Sequence, residues 1–310
     1  MNVAVTDPVL AADEVAEPGL ISPCLTPYNA DLTIDTGLYI AHAQQMLGDG
    51  CVALAPFGTT GEALSAGIEE RISTLEALIA AGVPSGRIVP GTGLTNLPDT
   101  VRLTRTAMEA GCAGAMILPP FYFKNPPEDG LYTYFARLIE MVDRDDLKIC
   151  LYHIPQVAGV GFPVSVVERL RRDFPQQIVA IKDSTGDSDS LEALMKIDGL
   201  TVYPGSEALV VDGMERGGPG CISAMSNINA PALVAAISAF QSGEKDKARE
   251  IHAEACRFRD TIVPYVPIVA VKRLLAMRSG IDNWAVVRPP LVELSEEKGR
   301  ELQTKLDALA

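Results

Sequence analysis

Eight short apolar runs, each followed by a stretch of helical period, set the fold of this chain. The runs are Leu20–Thr26, Cys51–Phe57, Arg87–Gly93, Gly114–Pro120, Lys148–Pro155, Ile178–Ser184, Leu200–Gly205 and Gly220–Ser226. Helical segments fall at 35–48, 68–82, 96–110, 128–143, 164–172, 188–197, 207–216 and 231–242. Strands that are apolar without alternation are buried on both faces, as in a parallel sheet covered by helices. Eight such units predict an α/β fold of the (β/α)8 TIM-barrel type over residues 19–243. A helical region is expected over 244–310, with helices near 244–260, 265–279 and 295–309 and breaks at Asp282-Asn283 and Pro289-Pro290. The 310 residues, 47% of them hydrophobic, suffice for one large domain with a smaller appendage.

Local signals agree with these boundaries. Ser165-Val166-Val167-Glu168 fits a capping box, and Pro98 and Pro231 fit first helical turns. Residues 1–18 carry Asp7, Asp13, Glu14 and Glu17 and lack a basic start with an apolar core, so they read as a loosely ordered tail rather than a signal peptide. Gly91-Thr92-Gly93 is a poor dinucleotide loop, because Asn96 stands where the third glycine belongs.

A net charge of −14 and a pI near 4.7, with no basic run, argue against a nucleic-acid surface. No run of about 18 apolar residues marks a membrane span. The cysteines at 24, 51, 112, 150, 221 and 256 are scattered without a CxxC pair, which suits reduced thiols in a cytoplasmic protein. With His42, His153 and His252 far apart, no metal site is expected.

In an eight-stranded barrel the active site gathers at the C-terminal strand ends, and the unusual polar residues cluster at the ends of these runs. Ile178–Asp187 (IVAIKDSTGD) delivers Lys182 into an apolar strand and then breaks into a turn. A buried lysine needs a partner, so Lys182 either snorkels to solvent or serves chemistry. One run earlier stands Tyr152, either a core aromatic or, if it points inward beside the lysine, a proton shuttle. His153 points to the opposite face of the strand and reads as structural.

Gly58-Thr59-Thr60-Gly61-Glu62 ends the second run. Its hydroxyls and amides suit a small carboxylate, while the plain alternative is a turn capping the next helix, with Glu62 near the positive end. Pro119-Pro120-Phe121-Tyr122-Phe123-Lys124 gathers three aromatics in a chain with 5% aromatic residues, and reads equally as a packed interface or a functional loop. Gly205 permits close backbone approach to a ligand, and Ser206 or Glu207 can bond to substrate hydroxyls; turn and helix-start roles are the alternatives.

In order and spacing, GTTGE at 58–62, PPFYFK at 119–124, YHIP at 152–155, IKDSTGD at 181–187 and PGSE at 204–207 resemble the dihydrodipicolinate synthase / N-acetylneuraminate lyase family of Schiff-base-forming class I pyruvate aldolases, over residues 20–300. The resemblance implies that Lys182 condenses with the ketone of a 2-oxo acid and that Tyr152 moves protons. It assigns Gly58, Thr59 and Thr60 to the substrate carboxylate, and gives Tyr122 a relay with Thr59 from a neighbouring subunit. Gly205 and Ile222 match backbone-contact positions. No cofactor beyond the lysine adduct is implied, and the oligomer implied is a dimer of dimers.

Lysine-pathway members of this family carry an arginine shortly after the YxxP tyrosine, to hold the carboxylate of aspartate semialdehyde. Val157 occupies that position here and cannot make a bidentate carboxylate contact. The sequence therefore points to a lyase cleaving a 2-keto-3-deoxy sugar acid or a 4-hydroxy-2-oxo acid to pyruvate and an aldehyde, which the loops around Val157, Glu207 and Ala224 select. Dihydrodipicolinate synthase and a 2-keto-3-deoxy acid dehydratase are the alternatives, and a non-catalytic 2-oxo acid sensor is the reading from another class.

Overall fold

The structure, a computed structural model, describes residues 18–309. The tail expected over 1–18 lies, apart from Pro18, outside the described residues. Among those residues the apolar runs become β1 (Gly19–Ser22), β2 (Ala53–Leu54), β3 (Ala115–Ile117), β4 (Ile149–His153), β5 (Ile178–Asp183), β6 (Thr201–Pro204) and β7 (Gly220–Ile222). They form two sheets, ordered β2-β1-β7 and β3-β4-β5-β6. The run at 87–93 makes no full strand, since Pro90 has no amide to donate. It still lies parallel to β3: Thr92 N donates to Met116 O at 3.0 Å and Met116 N to Pro90 O at 2.9 Å. With that segment in the eighth position, the fold is α/β, of the (β/α)8 barrel class with a C-terminal helical extension.

The helices are α1 (Thr36–Gly48), α2 (Ile68–Ala80), α3 (Leu97–Glu109), α4 (Glu128–Val142), α5 (Pro155–Ala158), α6 (Val164–Asp173), α7 (Ser188–Met195), α8 (Val210–Glu215), α9 (Ser226–Gln241), α10 (Lys245–Ile262), α11 (Pro267–Ser279) and α12 (Glu296–Asp307). Asp35, Asn96, Asp187 and Ser295 cap α1, α3, α7 and α12 through their side chains. The capping box expected at Ser165 is not formed. The N-cap of α6 falls two residues earlier, at Pro163, and the Ser165 hydroxyl donates to Glu128 at 2.8 Å. Pro231 lies within α9, directly after a break at Asn229 (φ −141°), so it opens the second, regular part of that helix.

The chain divides into two compact units, one built on Pro84–Cys221 and the other on Leu20–Val83 with Ile222–Ala310. In the first, Ile149, Leu151, Ile178 and Ile181 pack with Phe135, Leu138 and Leu170 of α4 and α6 in one apolar core. In the second, α9 and α11 bring polar groups inside. Asn227 Oδ1 accepts from Leu25 N at 3.0 Å and lies 2.8 Å from His42 Nε2. The His42 ring meets Trp284 edge-on at 4.8 Å. All six cysteines are unbridged, and among the described residues no helix is long and apolar enough to cross a membrane.

Candidate active site

The pairing of β4 with β5 decides what Lys182 meets. The ladder begins with Ile149 opposite Ile178, then skips a residue so that Cys150 faces Ala180 and Tyr152 faces Lys182. Val179 is the extra residue. Had pairing continued in step from Ile149, Tyr152 would stand opposite Ile181, whose side chain enters the core between sheet and helices. With the insertion, tyrosine and lysine share one face of the sheet. Lys182 Nζ lies 4.4 Å from the centroid of the Tyr152 ring, and the two residues are 4% and 3% exposed. The lysine nitrogen thus lies over the ring face, within cation–π distance.

β6 supplies a neighbour the motifs did not point to. Tyr203 pairs with Lys182 from the other side, is fully buried, and its hydroxyl has no hydrogen-bond partner among the described residues. Burial pushes that phenol well above the usual tyrosine range, with Cys150 adding to the effect. The Cys150 thiol, two residues before Tyr152, is itself pushed up to about 12 by burial, with Lys182 opposing. Beyond Tyr203, Gly205 N donates to Asp183 O at 2.6 Å. A Cβ at Gly205 would stand 2.1 Å from Ser184 Oγ, so only glycine fits. Glu207 opens the short helix after β6 and is buried.

His153 sits on the opposite face, as its position in the strand requires. Its Nδ1 accepts from Phe162 N at 2.8 Å. Burial holds the imidazole below its ordinary pKa while the Asp183 charge opposes. Val157, in α5, is 63% exposed. Tyr122 and Phe123 are exposed too, at 73% and 76%, and meet edge-on at 5.4 Å. Lys124 anchors this loop, donating to Phe121 O at 2.5 Å and to Ala158 O at 2.8 Å.

Gly58, Thr59 and Thr60 belong to the second unit, as does the buried Ile222 at the end of β7. The turn at 57–62 contains two non-glycine residues in left-handed conformation, Phe57 (φ 57°) and Glu62 (φ 53°), each costing about 1–2 kcal/mol. Glu62 N closes the turn on Thr59 O at 3.1 Å, and Thr26 Oγ1 donates to Gly61 O at 2.7 Å. Both threonines stay half-exposed. Glu62 does head a short helical turn, Ala63–Ser65, and its carboxylate is buried against Lys272 Nζ at 2.6 Å. Lys272 carried the same signal as Lys182, a lysine in an apolar stretch (PIVAVKRLL), and the motifs passed over it.

The profile of the Dihydrodipicolinate synthetase family matches residues 16–309. An uncharacterised DapA-like lyase of Chloroflexus aurantiacus is 32% identical over 299 residues, 95% of this chain and 98% of that protein. The 4-hydroxy-tetrahydrodipicolinate synthase of Thermus thermophilus is 32% identical over 291 residues, covering 92% and 94% of the two chains. Among solved structures, dihydrodipicolinate synthase from Agrobacterium tumefaciens superposes with a TM-score of 0.85 at 32% identity, over 94% of this chain and 99% of that one. YagE of Escherichia coli, a member of the same family in complex with pyruvate, gives 0.86 at 26% identity over 94% and 98%. The chain therefore belongs to the dihydrodipicolinate synthetase family and is a lyase of the class I aldolase type.

Proposed function

We propose that this lyase cleaves a 2-oxo acid, of the 2-keto-3-deoxy sugar acid or 4-hydroxy-2-oxo acid class, into pyruvate and an aldehyde. The observation that carries the reading is the buried Tyr152–Lys182 pair. An amine attacks a ketone only in its neutral form, with its lone pair free. Lys182 Nζ adds to the C2 ketone, and the carbinolamine loses water to give an iminium. The C3–C4 bond then breaks: its electron pair moves toward the iminium nitrogen, the C4 hydroxyl gives up its proton, and the aldehyde leaves. The enamine takes a proton at C3, and water releases pyruvate. In this scheme Tyr152 carries protons at the carbinolamine and at the C4 hydroxyl.

Following the family resemblance, Thr59 and Thr60 hold the substrate carboxylate, with Gly58, Gly205 and Ile222 giving backbone contacts. The pyruvate complex of the E. coli relative supports the choice of 2-oxo acid. Val157, apolar and exposed, favours a substrate without a second carboxylate at that position, and Glu207 is assigned to substrate hydroxyls. No cofactor takes part in this scheme. The exposed Tyr122–Phe123 pair supports a homo-oligomer, a dimer of dimers in which Tyr122 serves a neighbouring subunit with Thr59. The unbridged cysteines suit a reducing, cytoplasmic setting.

Product analysis over a panel of 2-oxo acids tests the assignment. Pyruvate released with an aldehyde supports cleavage. A single product keeping all carbons identifies a dehydratase, and condensation of pyruvate with aspartate semialdehyde identifies 4-hydroxy-tetrahydrodipicolinate synthase, the name carried by the T. thermophilus relative.

A further inference from the structure

The Glu62–Lys272 ion pair is the most completely buried charge pair among the described residues, both side chains being 0% exposed. A buried pair of this kind adds little net stability, because taking two charges out of water offsets their attraction. What it supplies is geometry. Lys272 Nζ donates to Glu62 Oε1 at 2.6 Å and to Thr26 O at 2.9 Å. Arg288 N donates to the other Glu62 oxygen at 3.3 Å. One ammonium thus ties the far end of the GTTGE turn to the segment whose Thr26 hydroxyl already grips Gly61 O at 2.7 Å.

The turn needs such a tie. Glu62 is held left-handed, a conformation that a non-glycine residue keeps only when its surroundings impose it. Gly61 is pressed so closely on the Cys24 carbonyl that a Cβ would lie 2.7 Å from it. Lys272 and Arg288 come from the C-terminal region, and their cationic groups each stand 4.6 Å from the centroid of the buried Tyr28 ring, which fixes them in turn.

We infer that Lys272 and Glu62 are positioning residues: their ion pair locks the 58–62 turn in the shape that presents Thr59 and Thr60, so that helix α11 sets the enzyme's affinity for the substrate carboxylate. This rests on the reading that those threonines hold the carboxylate. Neither Lys272 nor Glu62 touches substrate: both act through the turn.

The test compares borohydride trapping at Lys182 with pyruvate and with its uncharged methyl ester, in the wild-type protein and in the Glu62→Gln/Lys272→Met double variant. The double variant removes both charges together and leaves no unpaired ion inside. Its half-saturating pyruvate concentration is expected to rise about tenfold, the scale of one hydrogen bond to a charged group, while that for methyl pyruvate stays unchanged. A folded double variant with unaltered pyruvate saturation, or equal losses with both ketones, overturns the inference. Should the double variant not fold, Lys272→Gln, which keeps a neutral donor for Glu62 and for Thr26 O, is expected to shift pyruvate saturation in the same direction, and no shift overturns the inference. Wild-type protein that fails to trap pyruvate refutes the Schiff-base reading instead. In that case amide exchange at 58–62 without substrate decides the locking itself: faster in the variants if the pair holds the turn, unchanged if it does not.

Discussion

Tyr152 and Lys182 stand level on adjacent parallel strands because β5 carries one residue more than β4, with Val179 inserted below them. The lysine nitrogen is thereby 4.4 Å from the centre of the tyrosine ring. The juxtaposition is a property of strand register, so it fixes both partners without depending on loop conformation.

Tyr152→Phe keeps the ring over the amine and deletes only the proton-carrying hydroxyl. Turnover is expected to fall by about 10²–10⁴-fold, the range for a lost general acid–base group, with an unchanged circular dichroism spectrum and Lys182 still trappable. Turnover within a few-fold of wild type would remove Tyr152 from the proton path.

Gly205→Ala places a Cβ 2.1 Å from Ser184 Oγ and 3.0 Å from Ser184 Cα. Overpacking of this kind costs about 1–3 kcal/mol, a fall in Tm of several degrees that calorimetry reads directly. Adding Ser184→Gly removes the Oγ and Cβ clashes and is expected to restore part of the loss. A double variant no better than the single one would show that the close approach is not the cause.

The sheet and Lys182 within it were legible because burial on both faces leaves uninterrupted apolar runs, and one lysine in such a run stands out. Register was not legible, for the same reason: a strand apolar on both faces gives no alternation to show that Val179 is inserted. The run at 87–93 looked like a full strand, but Pro90 cuts its ladder to a bridge. Lys272 falls in the helix expected over 265–279, and its partner Glu62 lies 210 residues earlier, so nothing local in the sequence joins the two. Tyr203 was visible as a residue, and only pairing of β5 with β6 places it beside Lys182.

His42, which is buried, and His153, which is half-buried, set an acid limit. Burial lowers the pKa of both His42 and His153 from 6.5, so the folded chain refuses protons that the unfolded chain accepts. Stability is therefore complete above pH 6.5 and falls as the pH drops below it, each histidine adding up to about 1.4 kcal/mol per pH unit. Urea unfolding between pH 7.5 and 5.5 should show this slope, and His42→Gln, which keeps a donor for Asn227, should flatten it. An equal slope in the variant would exclude His42 as a source.

The exposed Tyr122–Phe123 pair predicts self-association. In sedimentation velocity the wild-type chain is expected to run as a tetramer, and Tyr122→Ala/Phe123→Ala to shift toward smaller species. An unchanged distribution would assign the pair to something other than subunit contact.

Lys182 is expected to form the covalent adduct with the 2-oxo acid. Incubation with pyruvate and sodium borohydride, followed by peptide mass spectrometry, should place the reduced pyruvyl group on the peptide bearing Lys182, and Lys182→Ala should neither trap nor turn over. An adduct on another lysine, or a Lys182→Ala protein that still cleaves a 2-oxo acid, would contradict it.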